Sequence, residues 1–180
     1  RDVSEEGISY LDASPFRREK FLNGYEQSTL RTLFFNSNEI YPELSGSSPN
    51  LFKVFLPVIW LNSNKNGVQG VLHPETPYTE TNGVRLRYES YRYLRRHFQF
   101  VNELLLFPDV DNHTKFSINV YGKNNGEIGF ISINNLYIPA TIEECKNSKG
   151  NEHLVISTVT EDQKWNTKGD KSRILTFDKD

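Results

Sequence analysis

The segment GVQGVLHPETPY (67–78) constrains the fold most strongly, because an apolar run from Val68 to Leu72 is bounded by Gly67 and Pro74 and ends in a His, a Glu and two prolines. Such a run reads as a strand buried on both faces of a parallel sheet. After the turn formers TPYTETNG comes VRLRYESYRYLRRH (84–97), whose apolar positions alternate with Arg85, Arg87, Arg92, Arg95 and Arg96. That spacing predicts a helix with one basic side. FQFVNELLLF (98–107) and TKFSINVYG (114–122) are rich in aromatic and β-branched residues and read as strands joined by a connection of hairpin length. The order strand, helix, strand over 68–104, with a hairpin added, describes a βαβ unit of an open, mostly parallel α/β sheet. In such sheets ligands sit at the carboxyl ends of the strands, and HPETPY is placed at that edge.

The flanks are plainer. SPFRREKFLNGYEQSTLRTLFF has helical periodicity, with Ser14 as N-cap, Pro15 in the first turn and Gly24 as a weak point. Asn36 to Pro49 reads as a loop. Ser48-Pro49 repeats the cap signature before NLFKVFLPVIWLN, whose nearly continuous apolar character predicts a largely buried helix bent at Pro57. EIGFISINNLYI is a further β-rich run, and HLVISTVT and SRILTF close a polar tail. With 180 residues one domain is expected, and 36% apolar with 24% charged residues excludes a disordered chain. The net charge of −2 means that any nucleic-acid contact must come from a local patch. Cys145 is the single cysteine, which excludes an internal disulfide or a Cys-rich metal site and fits a reducing, cytoplasmic setting. No apolar stretch approaches the ~20 residues of a membrane span, so no membrane partner is expected. The absence of any methionine points to a segment of a longer polypeptide, or to methionines lost from the sequence as written.

Several side chains could carry chemistry. His73 and Glu75 are a possible acid–base pair, but nothing near them supplies a nucleophile, and Pro74 between them is a strand terminator that would leave both facing solvent or the rim of a site. His73, His97, His113 and His153 lack metal-ligand spacing, so no metal is expected. Gly67 and Gly70 do not form a dinucleotide fingerprint. The arginines between 85 and 96, interleaved with Tyr88, Tyr91 and Tyr93, would suit phosphates, or would be a solvated face balanced by Glu89. Phe107-Pro108, at a loop tip, is either core or an exposed stacking platform, and composition favours core.

The run from GVLHPETPY through HTKFSINVYG, together with SPNLFKVFLPVIW before it and, more weakly, WNTKGDKSRILTF after it, resembles the large DNA adenine-N6 methyltransferases of restriction-modification and phage-defence systems. The resemblance implies a partial Rossmann-like sheet. Residues 48–138 would be the second half of the methylase core, with 1–47 a helical and loop lead-in and 139–180 a polar tail leading toward a target-recognition region. The segment would hold the fifth strand, its helix, and the sixth and seventh strands, the last antiparallel. The family's acidic, Gly-rich donor motif and its Asn-Pro-Pro-aromatic motif are both absent from this sequence. The resemblance therefore implies no catalytic residue here, with S-adenosylmethionine bound only by the whole enzyme, and with duplex DNA and the remainder of the polypeptide as partners. His73, Glu75, Tyr78 and His113 would border the cleft that receives an extruded base. Phe107 would stack on that base, with His113 and Phe116 as competitors, and Arg85, Arg87, Arg92, Arg95 and Arg96 would meet phosphates. Two other classes stay open: a non-catalytic DNA-binding or target-recognition module, and an interaction domain without a nucleic-acid role.

Overall fold

The computed structural model describes residues 5–123, 126–150, 159–160 and 162–178. Five strands, β1 (Gln69–Pro74), β2 (Leu94–Val101), β3 (Lys115–Tyr121), β4 (Phe130–Leu136) and β5 (Leu175–Phe177), form one mixed sheet in the order β1-β3-β2-β4-β5. The α/β class is as expected. β1 and β2 point the same way but are not neighbours, because β3 lies between them and runs antiparallel to both. β4 is parallel to β2, and β5 closes the sheet antiparallel to β4. The crossover from β1 to β2 runs through a single turn, α4 (Thr76–Thr79), within the expected loop, and then α5 (Val84–Tyr93).

Two sequence expectations change here. β1 is not buried on both faces: among the described residues it pairs only with β3, and Leu72 is 52% exposed. The basic helix is also shorter than 84–97. At Leu94 the backbone turns to φ −65°, ψ 139°, and β2 begins. A register shift between Leu94 and Arg96 then fits Arg95 into the ladder with β3 as an irregularity. Arg95 and Arg96 are thus strand residues, and the five arginines do not share one helical face.

The sheet is covered on both sides. α3 (Leu51–Leu61) and α5 bury Val54, Leu56, Trp60 and Leu86 with Leu94 and Tyr121 on one face. On the other, α6 (Ala140–Asn147) brings Cys145 against Phe98, Phe100, Phe116, Ile133 and Leu136. α6 therefore gives the expected polar tail a place in the core, while β5 adds an exposed edge strand to the sheet. HLVISTVT falls almost wholly outside the described residues. α3 starts after Asn50, whose side chain accepts from the Phe52 N–H, rather than after Ser48. Only one of its faces is buried; Leu51, Phe55 and Leu61 are exposed. The helical lead-in consists of α1 (Glu5–Asp12) and α2 (Pro15–Phe35), and α2 follows Ser14 as predicted but buries no residue.

A buried cation locks α3 to the crossover. Lys53 Nζ donates to Ser47 Oγ at 3.0 Å, the Ser48 carbonyl at 3.0 Å and Glu80 Oε2 at 2.7 Å. Burial would raise the Glu80 carboxyl, but hydrogen bonds from Lys53, Ser47 and Ser48 outweigh it and hold the group at about 2.

Candidate functional site: a buried polar seam and an aromatic pocket

Register places a row of polar side chains on one face of the sheet. His73 lies opposite Ser117, Ser117 opposite Gln99, Asn119 opposite His97, and His97 opposite Ser132. Alternation along each strand then aims them all at the face beneath α4 and α5. His73 is 2% exposed and Glu75 6%, so neither faces solvent as a strand terminator would. The reason is that α4 folds back directly after Pro74 and covers the strand end.

The seam satisfies itself. His73 Nδ1 donates to the Pro74 carbonyl at 2.8 Å, which leaves Nε2 as an acceptor for Asn119 Nδ2 at 2.9 Å, with the Tyr121 hydroxyl also at 2.9 Å. Tyr78 donates to Asn119 Oδ1 at 2.8 Å and lies 2.9 Å from the Tyr121 hydroxyl. Asn119 Nδ2 also reaches Ser117 Oγ at 2.8 Å. Beside this cluster Glu75 accepts from His97 Nε2 at 3.1 Å and from Gln99 Nε2 at 3.0 Å. Burial lowers the His73 imidazole against the opposing pull of the Pro74 carbonyl and Glu75, so the ring is neutral at pH 7. Burial also raises the Tyr78 and Tyr121 hydroxyls. Glu75 moves the other way: desolvation pushes it up, but the hydrogen bond and charge of His97, with further bonds from Ser117 and Gln99, leave it below the usual carboxylate value.

The seam opens into a cavity of about 360 Å³. Tyr78, Tyr91, Phe130 and Phe177 wall it, and His97, Ser132 and Asn134 form its floor. Ser132 Oγ lies 3.0 Å from His97 Nδ1, so hydroxyl, imidazole and the Glu75 carboxylate fall in the order a nucleophile, base and orienting acid would need. The hydroxyl, however, donates to Asn134 Oδ1 at 2.9 Å and sits in mid-strand between β2 and β5. The relay therefore sets the hydrogen bonding of the pocket floor rather than an attack.

At the carboxyl edge of β2, residues 102–114 form a loop organised by Asn102, which is fully buried. Its Nδ2 donates to the carbonyls of Phe107 and Val110, each at 2.9 Å, and its Oδ1 accepts from the Phe107 N–H at 3.0 Å. The Phe107 ring is 39% exposed and meets Phe116 edge-on at 5.0 Å, so it is not a core side chain. Phe116 is buried. His113 is exposed, and its ring pairs with Glu103 Oε1 at 2.8 Å, which raises it. The same edge carries Glu75, whose N–H reaches the Lys115 carbonyl at 3.3 Å, so the strand end and the Phe107 loop are neighbours.

The arginines divide by role. Arg87 donates to the Glu80 carbonyl at 2.9 Å, tying α5 to the turn before it. Arg92 pairs with Glu89 at 2.9 Å, and Arg95 donates to the carbonyls of Leu94 and Lys123. Arg85 and Arg96 are exposed and make no hydrogen bond or ion pair among the described residues. No group of His, Cys, Asp or Glu among the described residues is placed to hold a metal, and His153 lies outside them. No described helix is long and apolar enough to cross a membrane.

Sequence reasoning missed Gln99, Asn102, Ser117, Asn119, Tyr121 and Ser132. The one local signal was polar residues at alternate positions in otherwise apolar strands, as in FQF and FSINVY. Fold and site together define an α/β domain with a mixed sheet, a self-satisfied polar seam and an aromatic pocket. No family model matches the chain, and no curated protein matches it.

Proposed function

We propose that this chain is the second half of the methylase core of a DNA adenine-N6 methyltransferase, and that it forms one wall of the cleft that receives the extruded adenine. The observation that carries the reading is the arrangement of β1, α5, β2 and β3: a strand, its crossover helix, a second strand pointing the same way, and a third running antiparallel to both. That is the strand pattern the sequence resemblance implies for the fifth to seventh strands. Support also comes from Phe107, an exposed ring on an ordered loop at the carboxyl edge, where ligands of open α/β sheets bind. An extruded base loses stacking worth a few kcal/mol, and an aromatic face restores about 1–3 kcal/mol of it. The edge of β1 that is unpaired among the described residues, with the exposed Leu72 on that strand, suits the remainder of the sheet as a partner.

On this reading the chain itself supplies no donor site and no group that holds the adenine amino nitrogen. The enclosing polypeptide binds S-adenosylmethionine and transfers its methyl group to adenine N6 in duplex DNA. The dispersal of the arginines favours this reading over a stand-alone DNA-binding module, which would need a continuous basic face. The test is nucleoside analysis of duplex DNA incubated with S-adenosylmethionine and the intact polypeptide. Accumulation of N6-methyladenine is expected; its absence with an active donor supply overturns the proposal.

A further inference from the structure

We infer that the pocket between α5 and the β2-β4-β5 end of the sheet is a second ligand site, which takes an uncharged purine base or nucleoside. It lies across the sheet from β1 and toward the amino ends of β2 and β4, whereas the Phe107 loop leaves the carboxyl end of β2. It stands independently of the methylase reading. A cavity of about 360 Å³ falls within the size range of small-ligand sites and has room for a bicyclic ring.

Its walls are stacked rings. Tyr78 lies on Tyr91 at 5.7 Å and 13°, Tyr91 on Phe130 at 5.4 Å and 17°, and Phe130 on Phe177 at 4.8 Å and 20°. The rings form a column whose last member, Phe177, is exposed, so a planar guest can add to the stack. The floor is polar where a closed core would be apolar: His97 and Ser132 are buried, and Ser132 spends its hydrogen on Asn134 Oδ1. Asn134 Nδ2 makes no hydrogen bond among the described residues, so the amide offers a free donor beside a carbonyl oxygen with one lone pair left. An adjacent donor and acceptor on an Asn amide complement the adjacent acceptor and amino group of an adenine-type edge. Charge settles the class further. Among the described residues no lysine or arginine lines the cavity and Asp178 does, so a phosphate is disfavoured there relative to a neutral base or nucleoside.

The probe is 2-aminopurine riboside, titrated into the whole chain at low salt and followed by its own fluorescence, which stacking quenches. Saturable quenching is expected. Asn134→Leu, which removes the amide, and Phe177→Ala, which removes an exposed wall ring at the sheet edge, should each weaken binding by at least about fivefold. The 5′-monophosphate of the probe should bind at least about tenfold more weakly than the riboside. Circular dichroism and thermal unfolding establish that each variant is folded; if Asn134→Leu does not fold, Phe177→Ala decides. No saturable quenching by the unaltered chain, undiminished affinity in the folded variants, or equal binding of the monophosphate would each overturn the inference.

Discussion

Glu75 and His97 meet at 3.1 Å although β3 separates β1, which ends one residue before Glu75, from β2. The carboxylate, just past the end of β1, reaches over the intervening strand to a ring on β2, and the pair thereby spans the joint between crossover and hairpin. Both side chains are buried, so the hydrogen bond between them, with those to Gln99 and Ser132, compensates for lost water. Replacing Glu75 by Gln exchanges the anionic acceptor of the His97 and Gln99 hydrogen bonds for a neutral one. The expected cost is about 1–3 kcal/mol, read as a lower urea midpoint at pH 7. A midpoint within error of the unaltered chain would mean that the pair is not a structural tie.

Acid should weaken the fold in two stages. The His73 imidazole is held below its ordinary 6.5, so the unfolded chain takes up that proton first and stability declines as pH falls below about 6.5. The depressed carboxyls act lower down: Glu80, ordinarily 4.5 and here about 2, contributes fully above 4.5 and loses its contribution between 4.5 and 2. Glu75 adds to the same acid limb. Urea midpoints measured from pH 8 to pH 3 should show both stages, and His73→Phe should remove the upper one while leaving the lower.

Asn102→Ala should free the 102–114 loop. The amide holds Phe107 through both its N–H and its carbonyl, and reaches the Val110 carbonyl as well. Leaving those backbone groups unpaired costs about 1–3 kcal/mol, and hydrogen exchange in the loop should quicken while the sheet keeps its protection. Unchanged exchange at residues 105–111 would contradict this role.

Much of this organisation was legible in the sequence. Gly67 and Pro74 bracket β1, Ser14-Pro15 opens α2, and the aromatic, β-branched character of FQF and KFSINVY marks β2 and β3. The boundary between α5 and β2 was not, because YRYLRRHFQF satisfies a helical period up to Tyr93 and a strand period from Leu94 with no Gly or Pro to separate them. Nor could local spacing place β3 between β1 and β2. That choice brings His73, Asn119 and Tyr121 together, and it is a property of pairing over long separations. α6 was hidden for a simpler reason: its eight residues carry few apolar side chains, and its burial rests largely on Thr141 and Cys145.

The arginines should separate in experiment as they do in the structure. Arg85→Ala and Arg96→Ala touch no partner and should change stability by less than about 0.5 kcal/mol, whereas Arg87→Ala loses the clamp on the Glu80 carbonyl and should destabilise measurably. If the two exposed side chains meet phosphates in the intact enzyme, each replacement lowers the slope of log affinity against log salt by about one. Unaltered slopes for both would return them to solvated surface.

The most direct test of the central claim places 2-aminopurine at the target adenine of a duplex bound by the intact polypeptide proposed to be a methyltransferase, and compares Phe107 with Phe107→Ala. The ring is exposed and held only at its backbone and by Phe116, so its removal should leave the fold intact. Loss of about 1–3 kcal/mol of stacking should reduce the extrusion signal and slow methyl transfer by about five- to hundredfold. Extrusion and methyl transfer both unchanged in a folded Phe107→Ala enzyme would contradict the assignment of this loop to the wall of the base-binding cleft.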